Sequence, residues 1–234
     1  MKLMIFNDAI DIKLGENQVK RIYKGNKLVW IKRLKSITGV SPSDYIPTDI
    51  KVNSIFNTTI EAKGYLSLDG DCGLYGARVS SSSTIVDMVR GVLSKDNNIA
   101  YFVRHYISRC TESVADTYDR VLFPNELDEF EVHSQIANCY VKKDNDIKYI
   151  LRSVFGNDSS IPVPFILLGI NNNGNVSNVN GTRTIEYFRV LENGILTHDL
   201  VPILDDDDIP CMYDMITDKR YYVANGGTLS YETY

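Results

Sequence analysis

Ile and Val together outnumber alanine by about six to one in this chain of 234 residues, and that imbalance limits the folds open to it. The sequence contains 24 Ile and 20 Val but only 7 Ala. Alanine has the highest helix propensity, whereas β-branched side chains fit the pleated surface of a strand. The composition therefore predicts an all-β protein and excludes a mainly helical one.

Residues 59–68 show the alternation expected of a half-buried strand. The apolar side chains share one face of the predicted strand and the charged ones share the other: Ile60, Ala62, Leu66 and Leu68 against Glu61 and Lys63. Turn-forming residues separate similar stretches, for example at 69–71 and 192–194. Many short strands at this spacing predict a sandwich or a barrel. Residues 110–119 are the best candidate for a short helix.

Residues 1–33 resemble a separate small unit ahead of a main domain at 34–234. Two strand-like runs, 19–23 and 27–31, flank the turn-forming Lys24-Gly25-Asn26, which predicts a β-hairpin. An isolated hairpin is marginally stable in water, so this one is expected to pack on the main body or on another chain. Its apolar residues are our candidates for partner docking: Ile22, Tyr23, Val29 and Trp30.

The charge balance argues against a nucleic-acid surface, because the net charge is −5 and the one basic cluster, at 32–35, is short. The longest apolar run, 163–170, is less than half of the ~20 residues that a membrane-spanning helix needs. The first residues include too few apolar side chains for a signal peptide. We therefore expect no nucleic-acid partner, no membrane segment and no signal peptide.

The four cysteines, Cys72, Cys110, Cys139 and Cys211, are too widely spaced to predict a metal cluster. Reduced, buried thiols are the favoured interpretation, and two disulfides are the alternative. The acidic run 205–208 has the carboxylate density that Ca²⁺ prefers, although an exposed turn explains it better. We therefore expect no metal and no cofactor, with Ca²⁺ as the alternative.

One acidic motif is similar to that of an enzyme family. The pattern E-x-D-x-x-E at Glu126, Asp128 and Glu131 resembles the catalytic strand of laminarinase-type β-glucanases. That resemblance implies a nucleophile at the first Glu, an acid/base at the last, and an Asp that tunes the pair. However, Glu129 occupies a position that is normally apolar, and residues 34–234 contain no Trp for a sugar cleft. A solvated acidic strand edge is the favoured interpretation.

A polar loop at 169–175 contains three consecutive amides, Asn171, Asn172 and Asn173. Side-chain amides both donate and accept hydrogen bonds, so they suit sugar hydroxyl groups. Asn and Gly also favour turns, and residue type alone favours that second interpretation.

The second half of the chain carries an ordered series of segments that resembles a known family. The segments are 165–174, 185–194, 200–205, 210–214 and 221–228, with 43–50 and 74–78 earlier in the chain. In this order they resemble the LamG-like, concanavalin-type jelly rolls of phage virion proteins, over about residues 36–234. Residues 22–30 are similar to short segments that open many phage tail and fibre-associated proteins.

The resemblance implies a concanavalin/LamG-like jelly-roll β-sandwich at 34–234, with an attachment hairpin at 1–33. It implies a non-catalytic structural protein of the phage particle (tail, fibre, baseplate or head decoration) whose lectin-like domain adheres to host-surface glycans. The expected partners are other virion proteins, further copies of this chain and host polysaccharide. Five residues are candidates for ligand binding: Asn171, Asn172, Asn173, Tyr75 and Arg78.

Two other functions stay open at this point. One is a purely architectural virion protein without a ligand. The other is an endo-β-glucanase or capsule depolymerase that uses Glu126 and Glu131. In the adhesive case, weak single sites would be strengthened by multivalency.

Overall fold

A computed structural model describes the chain in several stretches. They are residues 13–14, 17–19, 21–24, 27–67, 72–79, 83–92, 99–108, 120–121, 130–136, 138–143, 145–151 and 157–234. The helix predicted at 110–119 lies outside the described residues, as do Leu68, Cys110, Glu126 and Asp128.

The regular structure of these stretches consists of strands, and none of it is helical. The first strands are β1 (Lys13–Leu14), β2 (Asn17–Gln18), β3 (Arg21–Lys24), β4 (Lys27–Ile31), β5 (Ser36–Gly39), β6 (Ile46–Pro47), β7 (Thr58–Leu66) and β8 (Cys72–Arg78). The next are β9 (Ser83–Val92), β10 (Ile99–Ser108), β11 (Arg120–Val121), β12 (Phe130–Gln135), β13 (Asn138–Lys143), β14 (Asp146–Leu151) and β15 (Ile166–Leu167). The last are β16 (Ile170–Asn172), β17 (Asn175–Ser177), β18 (Arg183–Glu192), β19 (Ile195–Leu204), β20 (Pro210–Asp214), β21 (Lys219–Tyr221) and β22 (Ser230–Glu232).

Two large sheets dominate the described part of the chain. The larger runs β14-β13-β12-β7-β18-β19-β20-β21, with β5 beside β18 and β22 beside β5. The smaller runs β11-β10-β9-β8-β15-β6, with the β16–β17 pair beside β8. Strand pairing is antiparallel except between β16 and β8. The strands β1 and β2 form a separate antiparallel pair, as do β3 and β4.

The two large sheets share one apolar core, as expected for a β-sandwich. The ring of Tyr75 on β8 lies 5.3 Å from the ring of Phe188 on β18, measured between centroids. Phe165, just before β15, lies 5.3 Å from Phe188 in an edge-on arrangement. All three side chains are fully buried. This aromatic cluster therefore joins the two sheets at the centre of the protein.

The alternation predicted for the stretch 59–68 is confirmed where the structure describes it. Ile60, Ala62 and Leu66 on β7 are fully buried, and Glu61 and Lys63 are half-buried on the opposite face. Successive side chains point to opposite faces of a strand, so one face of β7 meets the core. The turn predicted at 192–194 joins β18 to β19.

A second, smaller core lies on the other face of the larger sheet. Val201 and Ile203 on β19 pack there with Cys211 and Tyr213 on β20, while their neighbours in the sequence face the main core. Ile31, at the end of β4, is 5% exposed and packs on this cluster. The end of β4 thus lies on the outer face of the larger sheet. No helix among the described residues is long and apolar enough to cross a membrane.

Candidate functional site

A cleft lies where edge strands of the two large sheets approach each other. Strand β6 is an edge of the smaller sheet, and β21 is an edge of the larger one. The cleft between them has a volume of about 550 Å³. Its walls consist of Tyr45, Pro47, Arg220, Tyr221, Tyr222, Val223, Ala224 and Asn225. This is the cleft that we take as the candidate functional site.

Backbone hydrogen bonds hold the two walls together. The N–H of Ala224 donates to the carbonyl oxygen of Tyr45 at 2.9 Å. Next to Tyr45, the carboxylate of Asp44 accepts hydrogen bonds from the backbone N–H groups of Ser41 at 2.7 Å and of Thr228 at 2.8 Å. Burial acts to raise the pKa of Asp44, but these N–H donors outweigh it and lower the pKa. Asp44 is therefore a carboxylate that ties the Tyr45 loop to the segment after β21.

A buried arginine supports the same loop from inside. Arg183, the first residue of β18, is fully buried, and its Nη2 donates to the carbonyl oxygens of Ser41 at 2.7 Å and Asp44 at 3.2 Å. Desolvation lowers the pKa of Arg183, and the nearby Cys72 and Asp44 oppose that effect. The charged guanidinium thus acts as a fixed donor beneath the wall that carries Tyr45.

Carboxylates engage both adjacent tyrosine hydroxyl groups of the cleft. Tyr221 donates to Asp49 at 2.6 Å, and Tyr222 donates to Asp205 at 3.0 Å. Lys219 also donates to Asp49 at 2.5 Å, and the hydrogen bonds from Lys219 and Tyr221 lower the pKa of Asp49. Burial and the bond to Asp205 raise the pKa of Tyr222. The phenol ends are thereby fixed; Tyr221 packs into the core at 7% exposure, and Tyr222 keeps an exposed ring.

The exposed groups of the cleft define what it can bind. The side chain of Tyr222 is 39% exposed, that of Tyr45 is half-buried, and Asn225 is exposed. Aromatic faces pack against apolar surfaces of a ligand, while the amide of Asn225 and the guanidinium of Arg220 supply hydrogen bonds. A pocket with ring faces and a few directed polar groups suits a small polyhydroxylated ligand.

The predicted amide loop forms a tight turn between β16 and β17. Asn171 is buried, donates through Nδ2 to the carbonyl of Pro164 at 2.9 Å, and accepts the N–H of Gly174 at 2.8 Å. Asn173 and Gly174 both have positive φ angles, 50° and 91°, as a two-residue hairpin turn requires. Asn172 is half-buried and Asn173 is exposed. Both hydrogen bonds of the Asn171 side chain thus stabilise this turn and its neighbouring backbone.

Tyr75 and Arg78, the other predicted ligand-binding residues, lie on β8. Tyr75 is inside the aromatic cluster with no exposed surface, and burial raises its pKa well above the usual range. Arg78 is 7% exposed and forms an ion pair with the fully buried Asp87. The carbonyl of Arg78 accepts the N–H of Asn173 at 2.9 Å. The structure thus brings Arg78 next to the amide loop and places Tyr75 in the core.

Of the predicted carboxylate trio, only Glu131 falls within the described residues. It lies on β12, and its carboxylate accepts a hydrogen bond from Lys142 on β13 at 3.2 Å. The two side chains are 41% and 39% exposed, respectively. Glu131 therefore takes part in a cross-strand ion pair on the outer face of the larger sheet.

The acidic run 205–208 forms the turn between β19 and β20. Asp205 is buried, and its Oδ1 accepts the N–H groups of Asp207 and Ile209, both at 2.9 Å. Asp206, Asp207 and Asp208 are exposed. Within the described stretches, no group of three or more His, Cys, Asp or Glu side chains is arranged to hold a metal ion. Cys72, Cys139 and Cys211 are buried thiols.

The predicted docking residues lie on the paired strands β3 and β4. Ile22 is half-buried, and it pairs in register with Trp30. The side chains of Tyr23, Val29 and Trp30 lie outside the described part of the structure. Arg21 beside them forms an ion pair with Asp206, and its Nη2 donates to the carbonyl of Leu204 at 3.4 Å.

Sequence reasoning did not select the residues of the cleft. Tyr221, Tyr222 and Asn225 belong to a segment that we noticed only for its family resemblance, and Tyr45 belongs to another such segment. The tyrosine pair beside an arginine was the available signal, since exposed aromatic residues near polar ones often mark binding sites. Compared with known proteins, the sequence matches no family model and no curated protein sequence.

Proposed function

We propose that this chain is a non-catalytic, glycan-binding β-sandwich protein that serves as an adhesive component of a phage particle. The cleft between the two sheet edges is the observation that carries the binding role. Its volume of about 550 Å³ lies in the range of ligand pockets, and it presents tyrosine rings beside amide and guanidinium donors. Sugars offer apolar ring faces and hydroxyl groups, which match those two kinds of surface.

The strand order supports a jelly roll of the concanavalin or LamG-like kind. The chain passes from β7 in the larger sheet to β8, β9, β10 and β11 in the smaller one, and returns with β12 beside β7. Later, β18 takes the other side of β7. Neighbours that are not consecutive in the chain, joined by crossings between two sheets, are typical of Greek-key sandwiches and jelly rolls. A crystal structure in which β12 and β18 do not flank β7 would contradict this assignment.

The position of Glu131 supports a non-catalytic role. A retaining glycosidase needs two carboxylates about 5–5.5 Å apart, one of which is protonated before the reaction. The carboxylate of Glu131 instead forms an ion pair with Lys142. Incubation with mixed-linkage glucan or host capsule should release no reducing ends. Release that disappears in Glu131→Gln would refute the non-catalytic assignment.

The particle context is supported by the family resemblance and by the N-terminal segment, which we propose as the attachment element. Removal of residues 1–30 retains Ile31, which packs on the second core. We expect this variant to fold with a loss of about 1–3 kcal/mol in its free energy of unfolding, because it loses the charged hydrogen bonds of Arg21, whose side chain is 6% exposed, to Asp206 and to the carbonyl of Leu204. We also expect it to be missing from purified phage particles, as measured by immunoblot. Normal incorporation of the folded variant would contradict the attachment role.

The adhesive role predicts that Tyr222→Ala lowers glycan affinity. Loss of the exposed ring should weaken binding to immobilised host polysaccharide about fivefold, because an aromatic contact contributes about 1 kcal/mol. Tyr45→Ala, on the opposite wall, should have a similar effect. Retention of the purified chain on glycan surfaces, measured by surface plasmon resonance, provides the readout.

The control is Tyr234→Ala, which removes a tyrosine that is 68% exposed and does not line the cleft. Its affinity should equal that of the unmodified chain. Equal loss in Tyr222→Ala and Tyr234→Ala would show that the cleft is not the site. Absence of retention on every host glycan would favour the purely architectural virion protein.

A further inference from the structure

The cations around the cleft each lie against a carboxylate. Arg220 lies 3.4 Å from Asp206, which also forms an ion pair with Arg21 of the N-terminal segment. Lys219 lies 2.5 Å from Asp49. Arg21, Lys219 and Arg220, the three cations beside the cleft, thus already form ion pairs within the protein.

The remaining carboxylate, Asp205, is satisfied without a ligand. It is 5% exposed, and it accepts hydrogen bonds from Tyr222 and from the backbone N–H groups of Asp207 and Ile209. Arg220 adds a favourable charge interaction with it. With Asp205 included, Arg21, Lys219 and Arg220 are matched in number by three carboxylates: Asp49, Asp205 and Asp206. The exposed Asp207 and Asp208 of the same turn add further negative charge.

Such a cleft offers an ionic ligand no complementary charge. A carboxylate, sulfate or phosphate placed beside Arg220 would also lie near Asp205 and Asp206, and it would lose its hydration without gaining a cation of its own. A neutral hydroxyl group meets no such repulsion. Arg220 has five N–H donors, more than its contacts with Asp206 and with the hydroxyl group of Tyr222 use, so donors remain for neutral oxygen atoms.

We propose that the cleft selects an uncharged saccharide and discriminates against uronic acids and against sulfated or phosphorylated sugars. This inference rests on the proposed glycan-binding function and names its ligand class. Apolar ring faces of the sugar would lie against Tyr222 and Tyr45, and hydroxyl groups would bond to Asn225 and Arg220. Asp206 acts as a specificity residue, because it occupies the guanidinium that would otherwise attract an acidic ligand.

Calorimetric titration of the full chain tests the preference for uncharged saccharides. The probes are tetrasaccharides of glucose, galactose or mannose, and tetrasaccharides of the corresponding uronic acids. We expect the unmodified chain to bind at least one neutral probe about tenfold more tightly than its acidic counterpart. We also expect that affinity to change less than about twofold between 50 and 300 mM NaCl, since no ion pair with the ligand is screened.

Asp206→Asn supplies the decisive comparison, because it removes a charge that is exposed and leaves the cleft residues in place. The variant should bind the acidic probes about tenfold more tightly than the unmodified chain does, and salt should weaken that gain. Asp207→Asn, which alters an exposed neighbour outside the ion pairs, is the matched control and should behave like the unmodified chain.

The outcomes separate this inference from the proposed function. Preference of the unmodified chain for an acidic probe, with salt-sensitive affinity, would overturn the neutral-ligand inference and leave glycan binding intact. Binding of neutral and acidic probes with equal affinity would also overturn it. Binding of neither class would overturn the glycan-binding function and this inference together.

Discussion

Phe188→Ala should lower the free energy of unfolding by about 3–5 kcal/mol, which is the cost of deleting a large buried aromatic side chain. Phe188 has no exposed surface and contacts the rings of Tyr75 and Phe165, so the deletion leaves a cavity between the two sheets. A β-sandwich cannot close such a cavity without moving a whole sheet. Urea denaturation at pH 7.5, followed by intrinsic fluorescence, measures the change.

Two further variants test whether the loss of stability comes from the cavity at Phe188. Phe188→Leu keeps most of the apolar volume and should cost less than Phe188→Ala, because the cost grows with the size of the cavity. Tyr234→Ala removes an exposed ring and should change the free energy of unfolding by less than about 0.5 kcal/mol. A loss below about 1 kcal/mol in Phe188→Ala would show that the aromatic cluster does not join the sheets as described.

Acid should destabilise the protein over the pH range between the pKa of His105 in the unfolded chain and its lowered pKa in the folded chain. This side chain is buried between the sheets, where its Nε2 donates to the carbonyl of Ile55 at 2.9 Å and its Nδ1 accepts from Ser134 at 3.1 Å. Burial lowers the pKa of His105 from 6.5 to about 4, although the bond to Ile55 opposes the change. The fold therefore favours the neutral ring.

The direction of the pH effect follows from that lowered pKa. Above pH 6.5 both the folded and the unfolded chain hold His105 neutral, so its contribution to stability is complete. As the pH falls from 6.5 to 4, the unfolded chain takes up a proton that the folded chain excludes, and stability is lost. Between pH 7.5 and 4.5 we expect a loss of about 2–3 kcal/mol in urea denaturation.

A second loss of stability is expected at lower pH, where carboxylates with lowered pKa values take up protons, and Asp214 is the best defined of them. Burial acts to raise the pKa of Asp214, but hydrogen bonds from His198 and Thr217 and from the backbone outweigh it and lower the pKa from 3.8 to about 2. Stability from Asp214 is therefore complete above pH 3.8 and is lost between pH 3.8 and 2. His105→Gln should remove much of the dependence above pH 4.5 and leave that below it. An unchanged profile in His105→Gln would contradict the assignment.

Local properties of the chain predicted much of the fold. The excess of Ile and Val over Ala predicted a mainly β protein, and the all-β class is confirmed for the described residues. The alternation around Ile60 and Ala62 predicted which face of β7 is buried, because strand geometry links every second residue. The Asn193-Gly194 turn was predictable because both residues have positive φ angles, which Asn and Gly adopt most readily.

The partners of each strand were not predictable from the same properties. Alternation shows which face of β7 is buried, but it does not show that β12 and β18 flank this strand. Those neighbours come from distant parts of the chain, and their pairing depends on how the whole sandwich closes. The buried Arg183 is a further example, since residue type alone places an arginine at the surface.

The candidate site was predictable only in part. Asn171 and Tyr75 were candidate ligand contacts, although residue type favoured a turn for the amide loop. The fold uses Asn171 to hold that turn and Tyr75 to fill the core. Tyr45 and Tyr222 become neighbours because two edge strands from different sheets meet at one side of the sandwich.

The sequence by itself determined the class of fold, the buried faces of its strands and the positions of its tight turns, because these depend on residues close together in the chain. Only the tertiary structure decided which tyrosines remain exposed, which carboxylates neutralise Arg220 and Lys219, and where the cleft opens. Those features depend on contacts between residues that are far apart in the chain, and such contacts arise only once the two sheets have packed together.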